Sequence, residues 1–315
     1  MDGYALIIND TEDLQNILSA HYPGFQITGV AAPSGQRVVY FGTFSDFVRQ
    51  EVDGIRSYNW GAWGEVAIKV SNASSPASIA RIQCEIDALN SIKSKYYPTL
   101  YHHEILTFHP TTETPLTTKL FVTVEEKVES TPLSGCMEQF ADEQAILRLL
   151  TELTQALKIL WDHEKRYVHR DIKPENILIK NNGDIVVIDL GIIREAGSKG
   201  ITATALEYGP CTPTYASPEQ LCNDKRNINY KSDLFSLGVL AYTLLAGQNP
   251  FFEEGNSLED IIINVTSLEP PPLCELGFCT EGLSAIIQKL MSKQPFKRYR
   301  KIESLFSDLD GLSRT

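Results

Sequence analysis

Tyr167-Val168-His169-Arg170-Asp171-Ile172-Lys173-Pro174-Glu175-Asn176-Ile177-Leu178-Ile179 is the stretch on which the fold turns. Its two ends are apolar and read as short strands, with a dense polar loop between them. A carboxylate (Asp171), an ammonium (Lys173) and an amide (Asn176) are packed into six residues of that loop. Thirteen residues after Asn176 stands Asp189, carried by the run Ile185-Val186-Val187-Ile188-Asp189-Leu190-Gly191. This reads as a buried strand that delivers a second carboxylate and then a flexible glycine. Oxygen-bearing groups and an ammonium converging from two adjacent hairpin strands suit Mg²⁺ and a phosphoryl group. Magnesium takes oxygen ligands and is shared between one or two carboxylates and substrate phosphates.

The loop resembles the H-R-D-x-K-x-x-N catalytic loop of the protein kinases, and Asp189-Leu190-Gly191 resembles their D-F-G with Leu for Phe. The resemblance is to the protein kinase superfamily, in its eukaryotic-like (Hanks-type) serine/threonine branch. It implies an α+β, two-lobed fold with a small β-rich N-lobe and a larger, mainly helical C-lobe. It further implies that Asp171 accepts the substrate hydroxyl proton, that Asn176 and Asp189 hold the metal ions, and that Lys173 steadies the transferring phosphate.

Upstream of the loop, Val66-Ala67-Ile68-Lys69-Val70 matches the family's third-strand V-A-I-K. Alternation puts Ala67 and Lys69 on one strand face. A lysine facing inward needs a partner, because a buried unpaired ammonium is costly. The next helix starts at Ser75-Pro76, and its Glu85 is the predicted partner of Lys69. The glycine-rich turn departs from the family pattern. Its glycine positions fall on Ala32, Ser34 and Arg37 before Val39, and Gly35 is the glycine inside the turn. Glycine matters there because backbone N–H groups must approach phosphates without a Cβ in the way. Arg37 either touches phosphate or points to solvent. The nucleotide-binding set implied is Lys69, Glu85, Ser34, Gly35, Val39 and Ala67. Glu125, Glu126 and Lys127 fall near the adenine-binding connection, in an open register. Thr107 to Thr118 is rich in Thr and Pro and reads as an exposed loop.

Downstream, Asp142 to His163 carries Ile146, Leu149, Leu150, Leu153, Leu157 and Leu160 at helical spacing, the pattern of a core helix. Beyond Gly191 the chain is rich in Gly, Ala and Thr, like a segment with ordered and disordered forms. By resemblance, Arg170 pairs with a phosphate there. Thr202 and Thr204 are the favoured acceptors, and Thr212 lies in the substrate-side turn. The alternative is that Arg170 braces carbonyls and takes Glu195 or Glu207 as a constitutive partner. Gly209 to Glu219 resembles the family's G-T-P-x-Y…A-P-E region. Glu219 is then predicted to pair with Arg298, and Asp233 to brace the catalytic loop.

At 315 residues, with 43% apolar and 22% charged residues, the chain fits a globular domain with an extension. Residues 1–24 form that extension, with a short amphipathic helix that packs on the small lobe or docks a partner. The kinase domain covers 25–310, divided near 127/128, and 311–315 is a tail. A net charge of −12 argues against broad nucleic-acid or anionic-membrane binding. No apolar run approaches the ~20 residues that span a bilayer. No secretory signal is visible, and the six scattered cysteines fit free thiols in the cytoplasm. A metal role for His102-His103 has no companion ligands. The function implied is transfer of the γ-phosphoryl group of ATP, with Mg²⁺ or Mn²⁺, to Ser/Thr hydroxyls of protein substrates, with autophosphorylation. Two alternatives remain, a pseudokinase scaffold and a small-molecule kinase of similar fold. The oligomeric state is open.

Overall fold

Alternation along Glu65–Ala73 decides the sheet: Val66, Ile68 and Val70 are buried in the apolar core, and Ala67, Lys69 and Ser71 take the other face. The computed structural model describes residues 11–31, 37–45, 47–51, 54–58, 60–73, 75–190, 193–195 and 211–314. The chain divides into two compact units, Met1–Lys93 with Pro98–Val128, and Ser94–Tyr97 with Glu129–Thr315.

The first unit runs α1 (Thr11–His21), β1 (Phe25–Val30), β2 (Arg37–Phe44), β3 (Phe47–Glu51), β4 (Gly54–Tyr58), β5 (Glu65–Ala73), α2 (Pro76–Ser91), β6 (Leu100–Phe108) and β7 (Pro115–Glu126). Five strands make an antiparallel sheet in the order β1-β2-β5-β7-β6, and β3 and β4 form a separate hairpin. An isolated helix as short as α1 is marginal in water. Here Leu14, Ile17 and Leu18 bury against Ile68, Val70, Val122 and Val124, so the helix belongs to the core of this unit. Full burial of one such side chain stabilises by about 1.5–3 kcal/mol. Trp60 is buried in the same core and stacks on Trp63 at 4.7 Å, and Trp63 stacks on Tyr101 at 4.8 Å. The paired tryptophans are thus packing anchors. Ser75 caps α2 by accepting from the Ser78 amide, with Pro76 at the first turn.

The stretch expected to be a loop from Thr107 to Thr118 is half strand and half turn. β6 continues to Phe108 and β7 begins at Pro115, joined by a turn closed by His109 N donating to Thr114 O at 2.9 Å. Polar composition suggested a loop, but β-branched threonines fit a half-exposed pleated edge equally well.

The second unit runs β8 (Ser130–Pro132), α3 (Glu143–Asp162), β9 (Tyr167–Val168), β10 (Ile177–Lys180), β11 (Ile185–Val187), β12 (Arg194–Glu195), α4 (Pro218–Leu221), α5 (Tyr230–Ala246), α6 (Leu258–Ser267), α7 (Glu281–Leu290) and α8 (Ile302–Ser313). Asp142 caps α3 by accepting from Ala145 N at 3.0 Å, and its leucine stripe is buried. α5 is almost wholly buried and ends at Gly247, whose φ of 71° is the left-handed cap glycine favours. At Gly238 an added Cβ would stand 2.7 Å from Met291 Cγ and 2.8 Å from Leu290 Cβ. Glycine there lets the end of α7 approach α5. A β-rich unit and a mainly helical one together make an α+β fold. Among the described residues no helix is long and apolar enough to cross a membrane.

Candidate active site

The polar loop hangs between β9 and β10. Its far end is tied down by the β10–β11 ladder, and Ile188 N donates to Asn176 O at 2.9 Å. Its near end is held from α5. Asp233, fully buried, accepts from Arg170 N at 2.8 Å through Oδ1, and from His169 N at 3.0 Å and Trp161 Nε1 at 2.8 Å through Oδ2. Burial raises the Asp233 pKa, with these hydrogen bonds pulling the other way. Arg170 has a φ of 74°, a left-handed conformation that side-chain-bearing residues adopt at a cost of about 1–3 kcal/mol. Gln220 Nε2 donates to the Arg170 carbonyl at 2.8 Å and helps to hold that turn.

The loop residues converge on Asp171. Asn176 Nδ2 donates to the Asp171 carbonyl at 2.8 Å and to Oδ2 at 3.0 Å, and Lys173 Nζ lies 2.9 Å from Oδ2. Thr212 donates to Oδ1 through its hydroxyl at 2.7 Å and its amide at 3.2 Å, and Lys173 Nζ donates to the Thr212 hydroxyl at 2.7 Å. Asn176 and Thr212 are neutral donors that aim the carboxylate, and Lys173 also pairs with its charge. Among the described residues the Asn176 Oδ1 receives no hydrogen bond, which leaves the oxygen end of the amide open to a cation. Asp189 follows β11, half-buried, with a φ of 62° that turns the backbone sharply after the strand. Oxygen donors of this kind fit Mg²⁺.

Farther from the loop, Arg298 makes a two-pronged, fully buried pair with Glu219, Nη1 to Oε1 at 2.6 Å and Nη2 to Oε2 at 3.0 Å. Arg298 also donates to the carbonyls of Lys231, Ser292 and Lys293. Removing one member of such a pair costs about 3–5 kcal/mol.

In the first unit, register sets Val39, Lys69 and Thr123 in one cross-strand row and Phe41, Ala67 and Glu125 in the next. The predicted Lys69–Glu85 pair is not formed. Lys69 Nζ lies 2.7 Å from Glu125 Oε2, and Glu85 is held by Arg37, whose Nη1 donates to Oε1 at 3.2 Å and whose Nη2 donates to Oε2. The physical reason is competition for the Glu85 carboxylate, both of whose oxygens Arg37 takes. Lys69 and Glu125 project from neighbouring strands on one face, while Arg37, opposite Ser71 on β2, presents a longer fork to the helix. Burial works against the Lys69 ammonium, but the carboxylates of Glu125 and Glu85 outweigh it and hold its pKa above the ordinary value. Arg37 neither points to solvent nor stands free. Ser34, Gly35, Thr202 and Thr204 lie outside the described residues, and so do Ala32 and Gly191. Among the described residues, His102 belongs to no group of three or more His, Cys, Asp or Glu side chains that could hold a metal ion. Sequence reasoning missed Glu125 as the lysine's partner. The usable signal was its placement at the end of β7 on the Lys69 face, and the strand register needed to see it was open.

A family model described as "Protein kinase domain" matches residues 58–307, and the chain belongs to that family. Among curated proteins, it is 30% identical over 245 residues to serine/threonine-protein kinase Pkn1 of Myxococcus xanthus, covering 75% of this chain and 33% of that protein. It is 32% identical over 166 residues to serine/threonine-protein kinase PknB of Mycolicibacterium smegmatis, covering 52% of this chain and 25% of that one. With serine/threonine-protein kinase PknL of Mycobacterium tuberculosis it shares 33% over 155 residues, or 48% of this chain and 37% of PknL. The matches thus cover only 25% to 37% of the length of these relatives.

Proposed function

We propose that this chain transfers the γ-phosphoryl group of ATP to serine or threonine hydroxyls of protein substrates, its own included. The observation that carries this reading is the Asp171 carboxylate, aimed by Lys173, Asn176 and Thr212 in a loop braced by Asp233. Phosphoryl transfer asks a protein mainly for positioning and charge stabilisation. Asp171 would accept the proton of the attacking hydroxyl, and the Lys173 ammonium would sit beside the transferring phosphate. Asn176 and Asp189 would hold Mg²⁺, which supplies charge neutralisation at the phosphate oxygens. Lys69, with Val39 and Ala67 on the same sheet face, would meet the nucleotide. The Lys173–Thr212 contact at 2.7 Å supports a serine/threonine acceptor, as do the names of the relatives. We take the catalytic domain as residues 25–310, because β1 and β2 pair into the same sheet as the strands inside the family match.

The test is intact-mass spectrometry of purified protein after incubation with Mg²⁺ and ATP. Mass gains of one phosphate or more are expected, and none for Asp171→Asn. Equal gains in both would remove Asp171 from the mechanism.

A further inference from the structure

At the sheet face that carries Lys69, two cations and two carboxylates meet, Glu85 reaching in from α2, and they are paired in a way that alters what an incoming anion must displace. Three cross-strand rows lie on it: Arg37–Ser71–Phe121, Val39–Lys69–Thr123 and Phe41–Ala67–Glu125. Arg37 grips both oxygens of Glu85, and its Nε donates to Ser71 Oγ at 3.1 Å. A guanidinium fork of this kind outcompetes a point-charge ammonium for a carboxylate. Glu85 is 3% exposed with both oxygens engaged. Lys69 therefore rests on Glu125, at 2.7 Å, and the other Glu125 oxygen accepts from Thr123 Oγ1 at 2.7 Å. Glu125 is itself 2% exposed and is fixed on a central strand, not on a helix or loop.

We propose that Glu125 is a positioning residue that restrains Lys69 at rest and competes with the nucleotide's phosphates for it, Arg37 having withdrawn Glu85 from that competition. The inference rests on the ATP-dependent reading above. A phosphate drawn to Lys69 must break one ion pair, with Glu125, while the Arg37–Glu85 pair stays closed and keeps α2 tied to β2. A carboxylate beside an arriving polyanion is also a like charge, which weakens binding directly. Removing that charge while keeping the side chain's shape should tighten nucleotide binding, an effect that a merely structural residue would not produce.

The experiment measures the Kd of Mg·ADP by calorimetry on the full chain. Glu125→Gln keeps an oxygen for Thr123 and is expected to bind about fivefold tighter or more. Arg37→Gln frees Glu85 to join Glu125 at Lys69, and affinity is expected to fall about threefold or more. If Glu125→Gln does not fold, Glu125→Asp shortens the side chain and lengthens the ion pair, and about twofold tightening is expected. Unchanged or weaker binding by a folded Glu125 variant overturns the proposal. Failure of the unmodified protein to bind Mg·ADP would instead overturn the ATP-dependent reading, and this inference with it.

Discussion

Replacing Asp233 by Asn changes one charge and almost no volume at the point where α5 holds the catalytic loop. The carboxylate accepts three hydrogen bonds, from Arg170 N, His169 N and Trp161 Nε1. Asparagine offers one acceptor oxygen and one NH₂ group. Turned to keep the two bonds at Oδ2, it sets its NH₂ against the Arg170 amide, donor facing donor. Loss of a hydrogen bond to a charged acceptor costs about 1.5–3 kcal/mol, and the stranded amide adds about 1–3 kcal/mol. Part is returned, because burial makes the Asp233 carboxylate itself costly, as its raised pKa records. A net loss of about 2–3 kcal/mol follows. Arg170 directly precedes Asp171, so the displaced amide also moves the catalytic carboxylate. A 1 Å misplacement of a reacting group can cost about 10²-fold in rate. Urea unfolding followed by tryptophan fluorescence, with turnover measured on the same preparation, checks both effects. A stability change under about 0.5 kcal/mol together with unmodified turnover would refute the reasoning.

Two further predictions concern single, partly buried groups. Glu104 accepts from Tyr22 OH and from His102 Nε2 at 3.2 Å, and His21 Nε2 lies 3.0 Å from its other oxygen. Burial opposes its charge, but these contacts prevail and hold its carboxyl far below the ordinary range. The stability this adds is present above the ordinary glutamate pKa and lost as pH falls through the lower, folded value. Glu104→Gln should therefore cost about 1–3 kcal/mol at neutral pH, shrinking in acid, and hydrogen exchange should quicken in α1. Lys293 Nζ has no hydrogen-bond partner among the described residues and sits 4.2 Å above the Phe251 ring. Burial pushes its pKa down to about 8. A lysine depressed in the folded state makes stability rise with pH from about 8 towards its ordinary 10.5. Lys293→Met should raise the Tm at pH 7, with the advantage fading across that window; a lower Tm at pH 7 would contradict it.

Local patterns were the most legible. The loop from His169 to Asn176 packs its chemistry into a few neighbouring residues, and the geometry at Asp171 depends mostly on those neighbours. α3 declared itself by a leucine stripe, with caps at Asp142 and His163. What failed to show was register and reach. Whether Lys69 meets a helix carboxylate or a strand carboxylate depends on β5 lying against β7 with Ala67 opposite Glu125, and no local propensity sets that. Arg37 appeared as an irregularity of a glycine-rich turn, because its partner is 48 residues away. The Thr-rich hairpin failed for another reason, since threonine suits both an exposed turn and a strand edge. For α1 the apolar stripe was readable, but the sheet face it covers was not.

Labelled phosphate transfer from Mg·[γ-³²P]ATP to a serine- and threonine-containing protein tests the central claim most directly, with Asp171→Asn run beside the unmodified chain. Label is expected on phosphoserine or phosphothreonine, with the variant slower by about 10²–10⁴-fold, the scale of a lost, positioned acid–base group. No transfer by folded protein that binds Mg·ATP would contradict the account, as would an Asp171→Asn variant as fast as the unmodified chain.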